Sequence, residues 1–358
     1  MLQQLLLIGF GLALLGAGGE LLVRGASRLA ALFRVPPLVI GLTVVAFGTS
    51  APELVVTVQG VEAGAGELAL GNVLGSNVLN VLVILGLAAL MAPMTVARPV
   101  IRVQVPVVIA VTLLALALAA DQRIDTVEGT LLLVVIVAYV VWLLRTVRSS
   151  APPPETRSAP LPGWGWTTAL LSTVAGLGLL FAGGQQLVQG ATTLALALGV
   201  SEAVVGLTVV AFGTSVPEVA AAVVAALRGH SAIAVGNVLG SNVFNLTLIL
   251  GTASVWGGGI DVPPGLLTFD FVVVAAVTFA CLPIFYTGRR MARSEGALFL
   301  GYYVVYVVFL VLEAGGHPSL GRVRDAVLFF ALPITVVTLA LFVLKERGAR
   351  LTRPGRRP

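Results

Sequence analysis

Long apolar stretches, broken by short clusters of Pro, Gly and Arg, run the length of the chain. Each stretch is long enough as a helix to cross roughly 30 Å of hydrocarbon, so the pattern predicts membrane spans. Five fall before the middle of the chain, at Leu2–Leu22, Leu38–Val58, Leu68–Met91, Val103–Ala120 and Thr126–Leu144. Six follow, at Trp166–Leu187, Ala203–Leu227, Ala232–Trp256, Leu266–Tyr286, Gly296–Leu312 and Ala326–Leu344. Between the two groups lies a polar, Pro-rich segment containing SSAPPPETRSAPLPG. The first span lacks the basic start of a secretory signal and is expected to be retained. The expected fold is an all-α polytopic membrane protein of about 11 spans.

Composition agrees and removes alternatives. The 358 residues are 58% hydrophobic and 10% charged, with a mean hydropathy of +1.04. Soluble domains carry about 25% charged residues. The formal charge of +5 and pI near 10 first suggest a nucleic-acid binder. Threading the spans in order puts 18 Lys and Arg on one face and 3 on the other, so the charge reports sidedness. That asymmetry predicts an outside N-terminus and a cytoplasmic C-terminus in the cell (inner) membrane, and no nucleic-acid partner. The single cysteine, Cys281, sits inside an apolar run and supports neither a disulfide framework nor a thiolate metal cluster.

An internal repeat organises the chain. GLTVVAFGTSAPE (Gly41–Glu53) returns as GLTVVAFGTSVPE (Gly206–Glu218), matching at 12 of 13 positions. GNVLGSNVLN (Gly71–Asn80) returns as GNVLGSNVFN (Gly236–Asn245), matching at 9 of 10. Both pairs share one offset of 165 residues. Each copy holds five spans, an odd number, so the second enters the membrane from the opposite face. Inverted repeats of this kind build secondary transporters with a site near the midplane. The predicted organisation is residues 1–144 as the first unit, 145–163 as a cytoplasmic linker, 164–313 as the second, inverted unit, and 314–358 as an added helix with a basic tail.

The repeated segments also carry the chemistry. Most of the 16 carboxylates fall in loops or, like Glu20, Glu128, Asp270 and Glu313, near span ends; Glu53 and Glu218 lie well inside and are repeat equivalents. No Lys or Arg lies deep in a span to neutralise them. Two ionised carboxylates about 5 Å apart repel by roughly 3 kcal/mol at an effective dielectric of 20, so the pair needs a cation or a proton between its members. Pro52 and Pro217 remove a helical donor, and unwinding over 48–52 and 213–217 is expected to free the carbonyls of Ala46, Phe47 and Thr49 and their equivalents. Thr49, Ser50, Thr214 and Ser215 add hydroxyls at that level, unless they bond within their own helices. Ser76 with Asn80, and Ser241 with Asn245, are four apart and share a helix face. Asn72, Asn77, Asn237 and Asn242 read as interhelical hydrogen-bonders before ligands. Gly71, Gly75, Gly236 and Gly240 have the spacing of close helix packing. Every donor is oxygen, which suits hard cations such as Ca²⁺ and Na⁺. With no His or Cys nearby, Zn²⁺ and Cu⁺ are disfavoured.

GTSAPE and GTSVPE, paired with GSNVLN and GSNVFN, resemble the two alpha-repeats of the cation/calcium exchanger superfamily, and within it the prokaryotic sodium/calcium exchangers. The resemblance covers the first ten spans and implies alternating-access antiport of Ca²⁺ against Na⁺, with these ions as substrates and no cofactor. Its ligand set falls on Glu53 and Glu218 as central carboxylates, with Thr49, Ser50, Thr214 and Ser215 beside them. Ser76, Ser241, Asn80 and Asn245 complete it, with Ala46 and Ala211 as backbone carbonyl donors. Asn245 stands where some relatives carry Asp, making the site more symmetric with one fewer titratable group. The nearest rival keeps the fold and uses H⁺ as counter-ion; a cation channel lined by the two glutamates is another class. An intramembrane serine hydrolase is disfavoured because no His lies in a span to serve as base.

Overall fold

The computed structural model describes residues 2–148, 165–198, 211–286 and 288–314. The eleventh predicted span, most of the 145–163 linker and the 206–210 part of the second motif lie outside the described residues. Each of the first ten predicted spans falls on a described helix, the seventh from Ala211 onward.

In chain order the helices are α1 (Leu2–Phe33), α2 (Pro37–Thr49), α3 (Ala51–Glu62), α4 (Gly66–Met91), α5 (Val100–Asp121) and α6 (Thr126–Arg148). The second copy gives α7 (Trp166–Ala197), α8 (Val216–Leu227), α9 (Ser231–Trp256), α10 (Leu266–Tyr286) and α11 (Arg293–Ala314). Eight of these are long and apolar enough to cross a membrane, and α2 with α3 makes a ninth, bent by 43°. The helices α1 and α7 outrun their predicted ends at Leu22 and Leu187. In α1, Glu20 pairs with Arg24 one turn on, which extends the helix past its apolar section. Likewise α6 runs to Arg148, into the predicted linker.

Burial separates the layers. The windows of α4 and α9 are 83% and 94% buried, whereas α11 is 17% buried and presents an apolar surface suited to lipid. A pseudo-twofold relation is visible wherever backbones touch. A Cβ on Gly11 would lie 2.8 Å from the Gly183 carbonyl, and one on Gly18 would lie 2.8 Å from that of Gly176. Those contacts exchange under the 165-residue offset, so α1 and α7 cross antiparallel on a glycine seam. A like exchange, with the offset 165 for Gly86 and Gly251 but 167 for Gly129 and Gly296, relates Gly86 against Gly296 to Gly251 against Gly129, docking α4 on α11 and α9 on α6.

Four short strands, unforeseen in the sequence, repeat this exchange: β1 (Met94–Thr95), β2 (Arg123–Ile124), β3 (Ile260–Asp261) and β4 (Arg290–Met291). β1 pairs antiparallel with β4, and β2 with β3, so each link joins one copy to the other. The β2–β3 link is reinforced by an Arg123–Asp261 ion pair at 2.9 Å.

Candidate functional site

The Gly-Thr-Ser-Ala/Val-Pro-Glu segments break their helices as proline requires, but over a shorter stretch than the sequence suggested. α2 ends at Thr49 and α3 begins at Ala51, leaving Ser50 at φ −80°, ψ 3°. Ser215 repeats this at φ −91°, ψ 3°. Both occupy the sparse bridge region where site residues are often found. Glu53 and Glu218 then fall in the first turns of α3 and α8, where the helix dipole favours a negative group. The Ala46 carbonyl is not freed: it accepts the Ser50 N–H at 3.0 Å and the Thr49 hydroxyl at 3.4 Å. The α2 helix simply continues until Pro52 removes a donor. The copies differ here, because the Ser215 N–H turns to the Phe212 carbonyl instead, at 3.1 Å. Of Ala211 only the backbone is described, at the start of a short helix.

Across the pseudo-twofold, each acid meets the other copy's hydroxyls. Ser215 donates to Glu53 Oε1 at 3.0 Å. Thr214 also lies beside Glu53, while Thr49 and Ser50 lie beside Glu218. The two carboxyl groups sit close enough to act on one another electrostatically. Both are about 1% exposed. The Ser215–Glu53 bond brings the two repeated motifs into one buried region, and this crosswise pairing of acid with hydroxyl is new.

The α4 and α9 helices supply the other side. Ser76, Asn80, Ser241 and Asn245 are all buried there. Asn80 and Asn245 each open a π-helical stretch, Asn80–Leu85 and Asn245–Ile249, a widened turn common at functional positions. Asn80 donates its amide to Asn242 Oδ1 at 2.9 Å, which leaves its own Oδ1 free. Buried oxygens with no hydrogen-bond partner gather on these residues. They include Ser50 Oγ, Glu53 Oε2, Thr214 Oγ1, both Glu218 carboxylate oxygens, Asn80 Oδ1, Ser241 Oγ and Asn245 Oδ1. An unsatisfied buried polar group costs about 1–3 kcal/mol, more for a charged one. A bound hard cation would satisfy many at once.

The remaining asparagines act as hydrogen-bonders. Asn237 Oδ1 accepts the Thr49 hydroxyl at 3.2 Å, and its amide reaches the Glu218 carbonyl at 3.5 Å. Its equivalent Asn72 donates to Thr57 of α3 at 3.1 Å, whereas the Asn77 side chain, expected to bond between helices, donates to the Val73 carbonyl of its own helix at 2.7 Å. Gly236 and Gly240 approach α2, where added Cβ atoms would come 2.8 Å from the Leu38 carbonyl and 2.7 Å from the Ala46 side chain.

Asp270 lies one turn inside α10, near the span end as expected, and there it is 8% exposed and accepts the Tyr306 hydroxyl at 2.8 Å. Four residues of apolar helix precede it, enough to bring it under α11. In the first copy, Tyr139 donates to Gln104 at 2.8 Å, the same tie with a neutral acceptor. The offset drifts to 166 and 167 residues for these pairs, which hid the correspondence.

Known proteins share this architecture. The "Putative antiporter CaxA" of Alkalimonas amylolytica is 36% identical over 325 residues, covering 87% of this chain and 99% of that protein. The "Sodium/calcium exchanger MaX1" of Methanosarcina acetivorans is 29% identical over 344 residues, covering 85% and 97%. Among solved structures, the sodium-calcium exchanger NCX_Mj soaked without Na⁺ and Ca²⁺ superposes with a TM-score of 0.75 at 28% identity, covering 86% of this chain and 99% of that one. The family model for "Sodium/calcium exchanger protein" matches residues 3–145 and 168–312, both copies of the repeat without the intervening linker. On that match the chain belongs to the sodium/calcium exchanger protein family, multi-pass membrane transporters and not enzymes.

Proposed function

We propose that this protein, a cation antiporter of the sodium/calcium exchanger type, moves Ca²⁺ out of the cell against Na⁺ entry. Exchange takes place at a midplane site of oxygen ligands centred on Glu53 and Glu218. The observation that carries this reading is the group of unpartnered buried oxygens around two mutually facing acids. Thr49, Ser50, Thr214, Ser215, Ser76, Asn80, Ser241 and Asn245 supply the neutral donors, and the backbone carbonyls of Ala46 and Ala211 complete the set, Ala46 by exchanging its long 3.4 Å bond from Thr49 for the ion. Two carboxylates neutralise one Ca²⁺, or accept Na⁺ at overlapping positions, and competition for shared oxygens couples the fluxes. The arginine-rich face is cytoplasmic, following the positive-inside rule. NCX_Mj has solved structures soaked with Na⁺ and Ca²⁺ and with Na⁺ and Sr²⁺, which supports the same ion class here.

The test is Ca²⁺ uptake into proteoliposomes with a Na⁺ gradient and a pH gradient imposed separately. Uptake is expected to follow the outward Na⁺ gradient at constant pH. Uptake that ignores Na⁺ and follows the pH gradient would assign H⁺ as counter-ion, a second reading that the two buried, mutually facing acids favour. Asn245→Asp probes the same question within the site. Its unpartnered Oδ1 lies among the proposed donors, so a third acid is expected to make Ca²⁺ uptake more steeply pH-dependent. An unchanged pH profile removes Asn245 from the ion path.

A further inference from the structure

A cavity of about 650 Å³ opens beside the site, lined among others by Pro52, Val55, Gly184, Gln185, Gln189 and Thr214. Val55 lies past the Ser50 break, on its Glu62 side, and Gln189 lies towards the Ala197 end of α7, so the cavity opens to the arginine-poor face. Shifted by the repeat offset, these residues become Pro217, Ala220, Gly19, Glu20, Arg24 and Thr49. That mirror passage is shut. Thr49 is fully buried and a Cβ on Gly19 would lie 2.8 Å from the Val224 side chain, whereas Pro217 borders the open cavity itself.

At two of the six positions the copies differ in charge. Gln185 and Gln189 line the open side, whereas Glu20 and Arg24 stand on the closed side. Glu20 accepts from Arg24 in its own helix and from Arg228 at the end of α8, both at 2.6 Å. His230, which follows α8, is a further titratable group near Glu20 among the described residues: burial lowers its pKa, and the Glu20 charge pulls it back up. The Glu20–Arg228 pair therefore bridges α1 to α8 across the mouth of the closed passage, and among the described residues no ion pair matches it on the open side.

We infer that Glu20 is a gating residue. Its bond to Arg228 holds the passage on the arginine-rich face shut, and when that passage opens the released carboxylate lines it, as Gln185 now lines the other. The inference rests on the antiport reading for its role in transport. Because Glu20 and Arg228 are partly exposed, salt screens the pair, and its loss shifts the balance of two conformations severalfold without locking either.

Reporter cysteines test this without any ion flux, so failure of the gate is distinguishable from failure of Ca²⁺/Na⁺ exchange. Cys281 is buried and serves as the silent background. Val55→Cys reports the open side and Ala220→Cys the closed side, with the protein in nanodiscs and a membrane-impermeant maleimide as probe. Glu20→Gln and Arg228→Gln are each expected to raise labelling of Ala220→Cys severalfold and to slow labelling of Val55→Cys. Exchanging the charges, Glu20→Arg with Arg228→Glu, is expected to restore both rates towards their starting values. Unchanged rates in both single variants, or a charge exchange that labels like the singles, would overturn the gate.

Discussion

Ca²⁺ exchange is expected to fall at least about 100-fold in Glu53→Gln and in Glu218→Gln, because losing one partner of a buried charged arrangement costs roughly 3 kcal/mol or more. Each acid is buried, lies in the first turn of a broken helix and faces the other copy's hydroxyls. Gln keeps the shape and one acceptor oxygen but removes the charge that opposes a divalent ion. The fold should survive, since no ion pair among the described residues uses either acid. Isothermal titration with Ca²⁺ on monodisperse protein checks both points. Wild-type affinity in both single variants would remove the pair from the site.

The second large effect concerns stability. Gly176→Ala is expected to destabilise the protein by about 1–3 kcal/mol, the usual cost of overpacking a close contact. Its new Cβ would lie 2.5 Å from the Leu22 backbone nitrogen and 2.8 Å from the Gly18 carbonyl, where no flexible side chain can yield. Gly16→Ala is the control, because that glycine is exposed and its added carbon meets nothing within 4 Å. Thermal unfolding in detergent should show a lower midpoint for Gly176→Ala and an unchanged or slightly higher one for Gly16→Ala. Equal midpoints would mean that α1 and α7 separate without cost.

The prominence of Glu53 and Glu218 was legible in the sequence because an acid without a basic neighbour is costly in an apolar span. Span positions followed from composition for the same reason, and Asn72 and Asn237 read correctly as hydrogen-bonders. What failed to show were contacts between copies. Nothing local to Glu53 points to Ser215, whose approach depends on how two distant segments cross. The Ala46 carbonyl looked free because proline breaks helices, yet the break falls far enough along for the Ser50 N–H to reach it. Asp270 lies near its span end as read, but that position carries no information on burial, which comes from α11 lying over it.

The exchange of partners between the two copies bears on how the chain is made. While the first five helices are being inserted, Glu53 has no Ser215 to meet, and Gly86 has no Gly296 to lie against. The ribosome must deliver more than 160 further residues before either surface is covered. The nascent protein must therefore wait in the bilayer half-assembled, with an acid exposed on an unfinished wall, until its inverted twin arrives.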